Sequence, residues 1–202
     1  MSENIAEEKQ QPEKIRGTWK QMRSRLVYDN PWIRLEHHDV KTPADTDGIY
    51  GYIHFKNNAV GIIPIDNEGN TWLVKQYRYT LEQETWEIPM GGGPVGTDVL
   101  EAAKRELEEE TGLIAQQWEQ IAFAHVSKSV TDEEGYIFLA QDLSSGKMSL
   151  EETEDITVHK ISLREAFAMA EDGRITDGLS VIGLLKLKIM LLEKKGVELP
   201  PP

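Results

Sequence analysis

Residues Gly91 to Leu113 read GGGPVGTDVLEAAKRELEEETGL, and this stretch decides the fold. Three glycines and a proline cannot sustain a helix, so the segment opens as a loop that lets backbone approach a neighbour closely. From about Asp98 to Thr111 helix formers dominate. Thr97 is the expected N-cap, with Asp98 in the first turn against the positive end of the helix dipole. Gly112 is the expected C-terminal stop. Leu100, Ala103 and Leu107 share one face at i, i+3, i+7 spacing. Glu101, Glu106, Glu108, Glu109 and Glu110 crowd the same helix, with only Lys104 and Arg105 in reply.

A Glu-rich helix is ordinarily a solvated face. Three features point beyond that here. Glu106 precedes Glu109 and Glu110 by one helical turn, so these carboxylates cluster and repel. Mg2+ prefers hard oxygen ligands and would turn the repulsion into coordination. The helix follows a glycine-rich loop, and its apolar face points elsewhere, which leaves the acidic side to line a cleft.

Upstream, Thr85–Pro89 reads as a short strand running into the glycines. Ala59–Ile65 is a continuous apolar run, the mark of a buried strand. Asp66–Asn70 is a hairpin loop, and Thr71–Arg78 is the returning strand. Ser24–Tyr28, Trp32–Val40 and Ile49–Phe55 partly alternate and read as a small antiparallel sheet ahead of the main body. Residues 1 to about 20 are charged and Gln-rich, and are expected to be frayed or loosely docked. Downstream, strands are expected at Trp118–Val126, Tyr136–Leu139 and Ile156–Ile161. Two helices follow, Leu163–Glu171 ending at Gly173 and Asp177–Lys195 ending at Gly196.

The chain has 202 residues, enough for one sizeable core. Asp plus Glu number 35 against 22 Lys plus Arg, a formal charge of -13. Such a chain repels polyanions, so general binding of nucleic acid or anionic membrane is excluded. A phosphate-rich ligand then needs positive charge supplied locally, and a divalent cation is the obvious source. The absence of cysteine excludes disulfides, a thiol nucleophile and Cys-containing zinc sites. The histidines show no metal spacing such as H-E-x-x-H. The polar N-terminus lacks the apolar region of a signal peptide. Val181–Leu192, interrupted by Lys186 and Lys188, is too short to span a bilayer. Cytoplasmic residence without a membrane partner is the expectation.

The Gly91–Leu113 segment resembles the signature of Nudix hydrolases, G-x5-E-x7-R-E-U-x-E-E-x-G-U with U aliphatic. Gly91 takes the first glycine, Arg105-Glu106-Leu107 the R-E-U, Glu109-Glu110 the E-E, and Gly112-Leu113 the close. One position departs: Thr97 stands where the signature has its first glutamate. Lys75–Arg78, Trp86–Pro89 and Glu152–Ile156 are similar to the ADP-ribose pyrophosphatases and related nucleoside-diphosphate-sugar hydrolases. The likeness spans about residues 20 to 195.

The resemblance implies an α/β Nudix fold, an α/β/α sandwich around a mixed β-sheet with a small N-terminal antiparallel sheet. It implies residues 1–57 as tail and dimerisation sheet, and 58–202 as the catalytic domain. It implies Mg2+-dependent hydrolysis, Mn2+ being a possible substitute, of a small-molecule nucleotide sugar by a homodimer. Glu106, Glu109 and Glu110 would be metal ligands, joined by the carbonyl near Gly91 and by Glu87 through water or by orienting the loop. Arg105 would fix a neighbouring carboxylate, with Asp98 or Glu101 as its partner in place of the missing glutamate. The general base is a loop glutamate: Glu154 first, Glu152 second, with Glu151 and the pair Glu133–Glu134 as rivals. Arg78 reads either as a phosphate contact or as a salt-bridged strand end. Trp32, Tyr28 and Tyr77 read as base-stacking residues or as half-exposed core aromatics. Two other readings stay open: a hydrolase of another diphosphate such as a dinucleoside polyphosphate, and a lapsed Nudix-fold sensor of nucleotide sugars.

Overall fold

The structure is a computed structural model and describes residues 14–150 and 155–194. It divides into two compact units. One is the chain through Lys56 together with Ser127–Asp132, and the other is Asn57–Val126 with the chain from Glu133 onward.

The first unit is an antiparallel sheet of β1 (Lys14–Arg16), β2 (Trp19–Asp29), β3 (Ile33–Lys41) and β4 (Asp47–Phe55), in that order. Of the stretch expected to be loose, Lys14–Arg16 and the residues from Trp19 are in strands. Arg16 pairs with Trp19 across a two-residue turn, a register that composition does not announce. Segment 127–132 lies along the edge of β4. Ile53 N–H donates to Val130 O at 2.9 Å, and Tyr50 Oη donates to Ser129 O at 2.5 Å.

The second unit holds β5 (Asn57–Pro64), β6 (Asn70–Arg78), β7 (Gln83–Glu87), β8 (Met90–Pro94), α1 (Val99–Thr111), β9 (Leu113–His125), β10 (Glu134–Ser145), β11 (Ile156–Ser162), α2 (Leu163–Asp172) and α3 (Gly178–Lys194). One sheet runs β8-β5-β10-β9 and is mixed, because β5 and β10 pair in parallel. A second, antiparallel sheet runs β11-β6-β7.

The apolar run of β5 is continuous because both of its faces are buried. Val60 and Ile62 pack with Ala103 and Leu107 of α1. Ile63 packs on the opposite side with Leu179, Leu184 and Leu187 of α3. β10 repeats the division, with Phe138 and Ala140 toward α1 and Ile137 and Leu139 toward α2 and α3. Helices on both faces of a mixed sheet make the α/β/α sandwich that the signature led us to expect. Each fully buried aliphatic side chain here is worth about 1.5–3 kcal/mol against exposure, and this burial fixes where α1 sits.

Met90–Pro94 corrects the expectation of a loop. It is a strand, pairing antiparallel with β5 from Gly61↔Met90 to Asn57↔Pro94. Gly91 and Gly93 serve close packing of the strand on α1, where a β-carbon would meet Glu106 and Ala102.

Candidate active site

The site is built on α1 and β8. Asp98, not Thr97, is the N-cap of α1: its carboxylate accepts from Leu100 N–H at 2.9 Å. Thr97 instead closes the preceding turn, its hydroxyl donating to Pro94 O at 2.7 Å. Gly112 ends the helix in the left-handed region at φ 67°, where a β-carbon would be strained.

The acidic face is not open as expected. Glu106 and Glu110 are only 6% and 1% exposed, because both turn inward onto the backbone of β8. Glu106 Oε1 accepts from Gly92 N–H at 3.1 Å, and Glu110 Oε2 accepts from Met90 N–H at 2.9 Å. A β-carbon at Gly91 would fall 2.1–2.4 Å from the Glu106 carboxyl, so the missing side chain is what makes room for that carboxylate. Burial pushes the Glu106 carboxyl above the usual carboxylate range, against the pull of Arg105 and of the Gly92 N–H.

Arg105 binds this cluster together. It donates to Glu109 Oε2 at 2.5 Å, to Glu106 Oε1 at 2.6 Å and to Gly92 O at 2.8 Å. The expected partners Asp98 and Glu101 are not the ones it takes. Glu101 pairs with Lys104 at 2.6 Å, and the carbonyl on β8 draws the guanidinium the other way. The C-terminal end of α1 is held too, with Ser149 N–H donating to Glu109 O at 2.9 Å.

Glu87, 2% exposed, receives Thr85 Oγ1 at 2.5 Å and Arg78 Nε at 2.7 Å, and Arg78 Nη2 also donates to it. Arg78 is thus held as a salt-bridged strand end, with its side chain still 38% exposed. Among the rival bases, Glu133 has its carboxyl pushed up by burial and by the charge of Asp177, while Glu134 accepts from Tyr136 Oη at 2.8 Å. Glu151, Glu152 and Glu154 lie outside the described residues. Trp32 and Tyr28 stand in the first unit, 64% and 53% exposed, and Tyr77 in the second is 55% exposed. The backbone groups of Met90 and Gly92, which hold two acids and the arginine, were not found from sequence. No side-chain pattern signals them.

Among the described residues, no three acidic or histidine side chains already converge as a metal cage. The donor chemistry nevertheless fits a divalent cation. Glu106, Glu109 and Glu110 offer only hard carboxylate oxygens from one turn and a half of helix, and two of them are buried against the backbone of β8.

A mixed sheet between helices here carries clustered carboxylates and an arginine over a glycine strand, a donor set that suits a divalent cation. Comparison with known proteins gives the family. A NUDIX domain matches residues 56–178, and the nucleoside diphosphate sugar hydrolase N-terminal domain matches residues 19–53. The chain belongs to the Nudix family and is a Nudix pyrophosphohydrolase. Hydrolases of this family generally use divalent metal ions. The chain is 34% identical over 141 residues to the ADP-ribose pyrophosphatase of Bacillus subtilis, covering 68% of this chain and 76% of that one. It is 30% identical over 172 residues to the methanol dehydrogenase activator of Bacillus methanolicus, covering 84% and 92%. The crystal structure of an ADP compounds hydrolase superposes with a TM-score of 0.77 at 22% identity, over 88% of this chain and 96% of that chain, and carries the same fold.

Proposed function

We propose that the chain hydrolyses the diphosphate of a nucleoside-diphosphate sugar, ADP-ribose or a hexose nucleotide such as GDP-mannose, to a nucleoside monophosphate and a sugar phosphate. The observation that carries this reading is the pair of buried carboxylates, Glu106 and Glu110, fixed to the β8 backbone beside Arg105. The similarity to an ADP-ribose pyrophosphatase over three-quarters of its length supports the substrate class.

Phosphoryl transfer asks for charge neutralisation and positioning of water more than for covalent help. Glu106, Glu109 and Glu110 would hold Mg2+, which when bound neutralises the diphosphate and lowers the pKa of water. Arg105 sets the orientation of Glu106 and Glu109. β8 fixes Glu106 and Glu110 at its backbone N–H groups. A glutamate of residues 151–154 accepts the proton from water. In this reading the first sheet pairs two chains as a homodimer, and the protein works in the cytoplasm. Among the described residues, no helix is long and apolar enough to cross a membrane.

A panel of ADP-ribose, GDP-mannose, ADP-glucose, UDP-glucose and diadenosine polyphosphates, incubated with Mg2+ and separated by chromatography, tests the proposal. Turnover of a nucleotide sugar that disappears in Glu109→Gln supports it. Turnover of the dinucleotides alone overturns the substrate class. One observation favours a second reading, a sensor: Arg105 already neutralises Glu106 and Glu109. Tight nucleotide-sugar binding without turnover would establish it.

A further inference from the structure

The chain leaves one sheet of the second unit and enters the other through two residues, Ile88 and Pro89. β7 ends its ladder at Val74↔Glu87, and β8 begins its own at Gly61↔Met90. Proline biases Ile88 toward extended backbone and has no N–H of its own. Neither ladder serves the polar groups of this crossing. Ile88 is wholly buried, so an unpaired N–H there would be costly. Pro89 O accepts from Ile62 N–H at 2.8 Å. Ile88 N–H donates to Ser180 Oγ of α3 at 3.0 Å.

Ser180 reaches Ile88 because α3 lies close on the mixed sheet. A β-carbon at Gly135 of β10 would fall 2.6 Å from Leu179 Cδ2, and one at Gly183 of α3 would fall 2.9 Å from Ile137 Cγ2. Ser180 is fully buried, and its hydroxyl proton is already committed. It donates to Asp177 Oδ2 at 2.7 Å, and the same oxygen accepts from Ser180 N–H at 2.8 Å. Asp177, the residue before α3, thus caps the helix and takes the hydroxyl proton. The lone pairs of Ser180 Oγ are then left for the Ile88 N–H.

Both neighbours of the crossing belong to the candidate site. Glu87 precedes it and binds Arg78 and Thr85. Met90 follows it, and its N–H holds Glu110 at 2.9 Å. We propose that Ser180, oriented by Asp177, is a positioning residue for the active site: it fixes the Ile88–Pro89 crossing and, through it, the Met90 N–H that aims Glu110. The link to a metal rests on the hydrolase reading. The proposal deepens that reading by giving a role in it to α3, a helix outside the signature.

The test compares wild type with Ser180→Ala and Ser180→Cys. Alanine removes the hydroxyl, while cysteine nearly keeps the volume and offers only a weak acceptor. Amide hydrogen exchange is followed by NMR without metal. Mn2+ affinity is read by paramagnetic resonance of the free ion without substrate, and kcat and KM on the nucleotide sugar that wild type turns over. In both variants the Ile88 and Met90 amides are expected to exchange about tenfold faster, the scale of one lost hydrogen bond. Those of Phe138 and Leu139 in β10 keep wild-type rates. Mn2+ binding weakens by about tenfold, as when a group that orients a metal ligand is removed. kcat falls and KM stays. If Ser180→Ala does not fold, Ser180→Cys carries the test. Wild-type exchange at Met90 in the variants overturns the proposal. An equal rise in β10 does so too, since Ser180 is then a core contact only. Ser180→Cys behaving as wild type beside a defective Ser180→Ala means that the hydroxyl merely fills space, and again overturns it. Faster exchange at Met90 with Mn2+ affinity unmoved overturns the role in the site. A wild type with neither Mn2+ binding nor turnover sinks the hydrolase reading alone, because exchange at Met90 still decides the hold on Glu110.

Discussion

The carboxyl carbon of Glu106 stands 2.1 Å from where a β-carbon of Gly91 would be, so the two side chains exclude each other. Gly91→Ala therefore displaces a buried carboxylate that also holds Arg105 and the Gly92 N–H. Overpacking at this point is expected to cost about 1–3 kcal/mol of stability. In the proposed reading Glu106 holds the metal, and misplacing it should lower kcat/KM by about 10–100-fold. Gly92→Ala is the control: its β-carbon would come only to 3.2 Å from Asn57 Cβ, so the effect should be much smaller. Thermal melts and nucleotide-sugar turnover check both variants, and equal effects would show that the Gly91 contact is not what matters.

Arg78 and Glu87 form a two-pronged pair in which Glu87 is almost wholly buried and Arg78 is 38% exposed on its side chain. Arg78→Ala strands the carboxylate. We expect a loss of about 3 kcal/mol, the low end for a broken buried pair because Arg78 retains access to water. Replacing both, Arg78→Leu with Glu87→Gln, should recover part of that loss, since Thr85 still donates to position 87. A denaturation cycle of the two singles and the double measures the coupling. If Arg78→Ala melts like wild type, the pair has no structural role and Arg78 returns as a phosphate contact.

The parts of this molecule legible in its sequence are those whose causes are local. The apolar run of β5 announces burial on both faces, and Val60 with Ile62 against Ile63 shows why it does. The signature spacing places Glu106, Glu109 and Glu110 on one helix. What sequence conceals depends on partners distant in the chain. Glycines read as a loop, yet Met90–Pro94 is a strand because β5, some thirty residues earlier, supplies its ladder. Helical spacing offers Arg105 to Glu101, but Gly92 O on β8 competes and wins. Charge predicts exposure for Glu106 and Glu110, and backbone N–H groups of β8 reverse it.

Asp66 sets an acid limit on stability. Burial pushes its carboxyl up, but hydrogen bonds from Lys160, from Asn70 and from the Glu68 and Asn70 backbone outweigh burial and hold it well below the usual 3.8. In the unfolded chain it titrates near that usual value. As the pH falls, the unfolded state takes up the proton first, which draws the equilibrium toward unfolding. The contribution is complete above the unfolded value and is lost as pH falls through the depressed folded one. Asp66→Asn should be less stable than wild type at neutral pH and show a shallower loss in acid. Denaturant midpoints measured across that range decide it, and parallel curves would rule Asp66 out as the titrating group.

Thr97 stands where the Nudix signature has a glutamate, and the geometry says what restoring it would do. Arg105, the partner that such a glutamate would seek, already donates to Glu109, Glu106 and Gly92 O. The Thr97 hydroxyl and N–H both reach Pro94 O, at 2.7 and 3.0 Å, and close the turn that leads into α1. Thr97→Glu gives up the hydroxyl bond and adds a negative charge beside Asp98 and Glu101. An exposed ion pair is worth about 0–1 kcal/mol, so kcat/KM and the Mg2+ midpoint should move by no more than about fivefold. Stability should stay level or fall. Mg2+ titration and turnover of Thr97→Glu beside Thr97→Ala separate the charge from the lost hydroxyl. A gain of about a hundredfold in Thr97→Glu alone, on the scale of a supporting-residue effect on metal affinity, would mean that the hold of Arg105 on Glu109 restrains the enzyme and that the missing glutamate is what releases it.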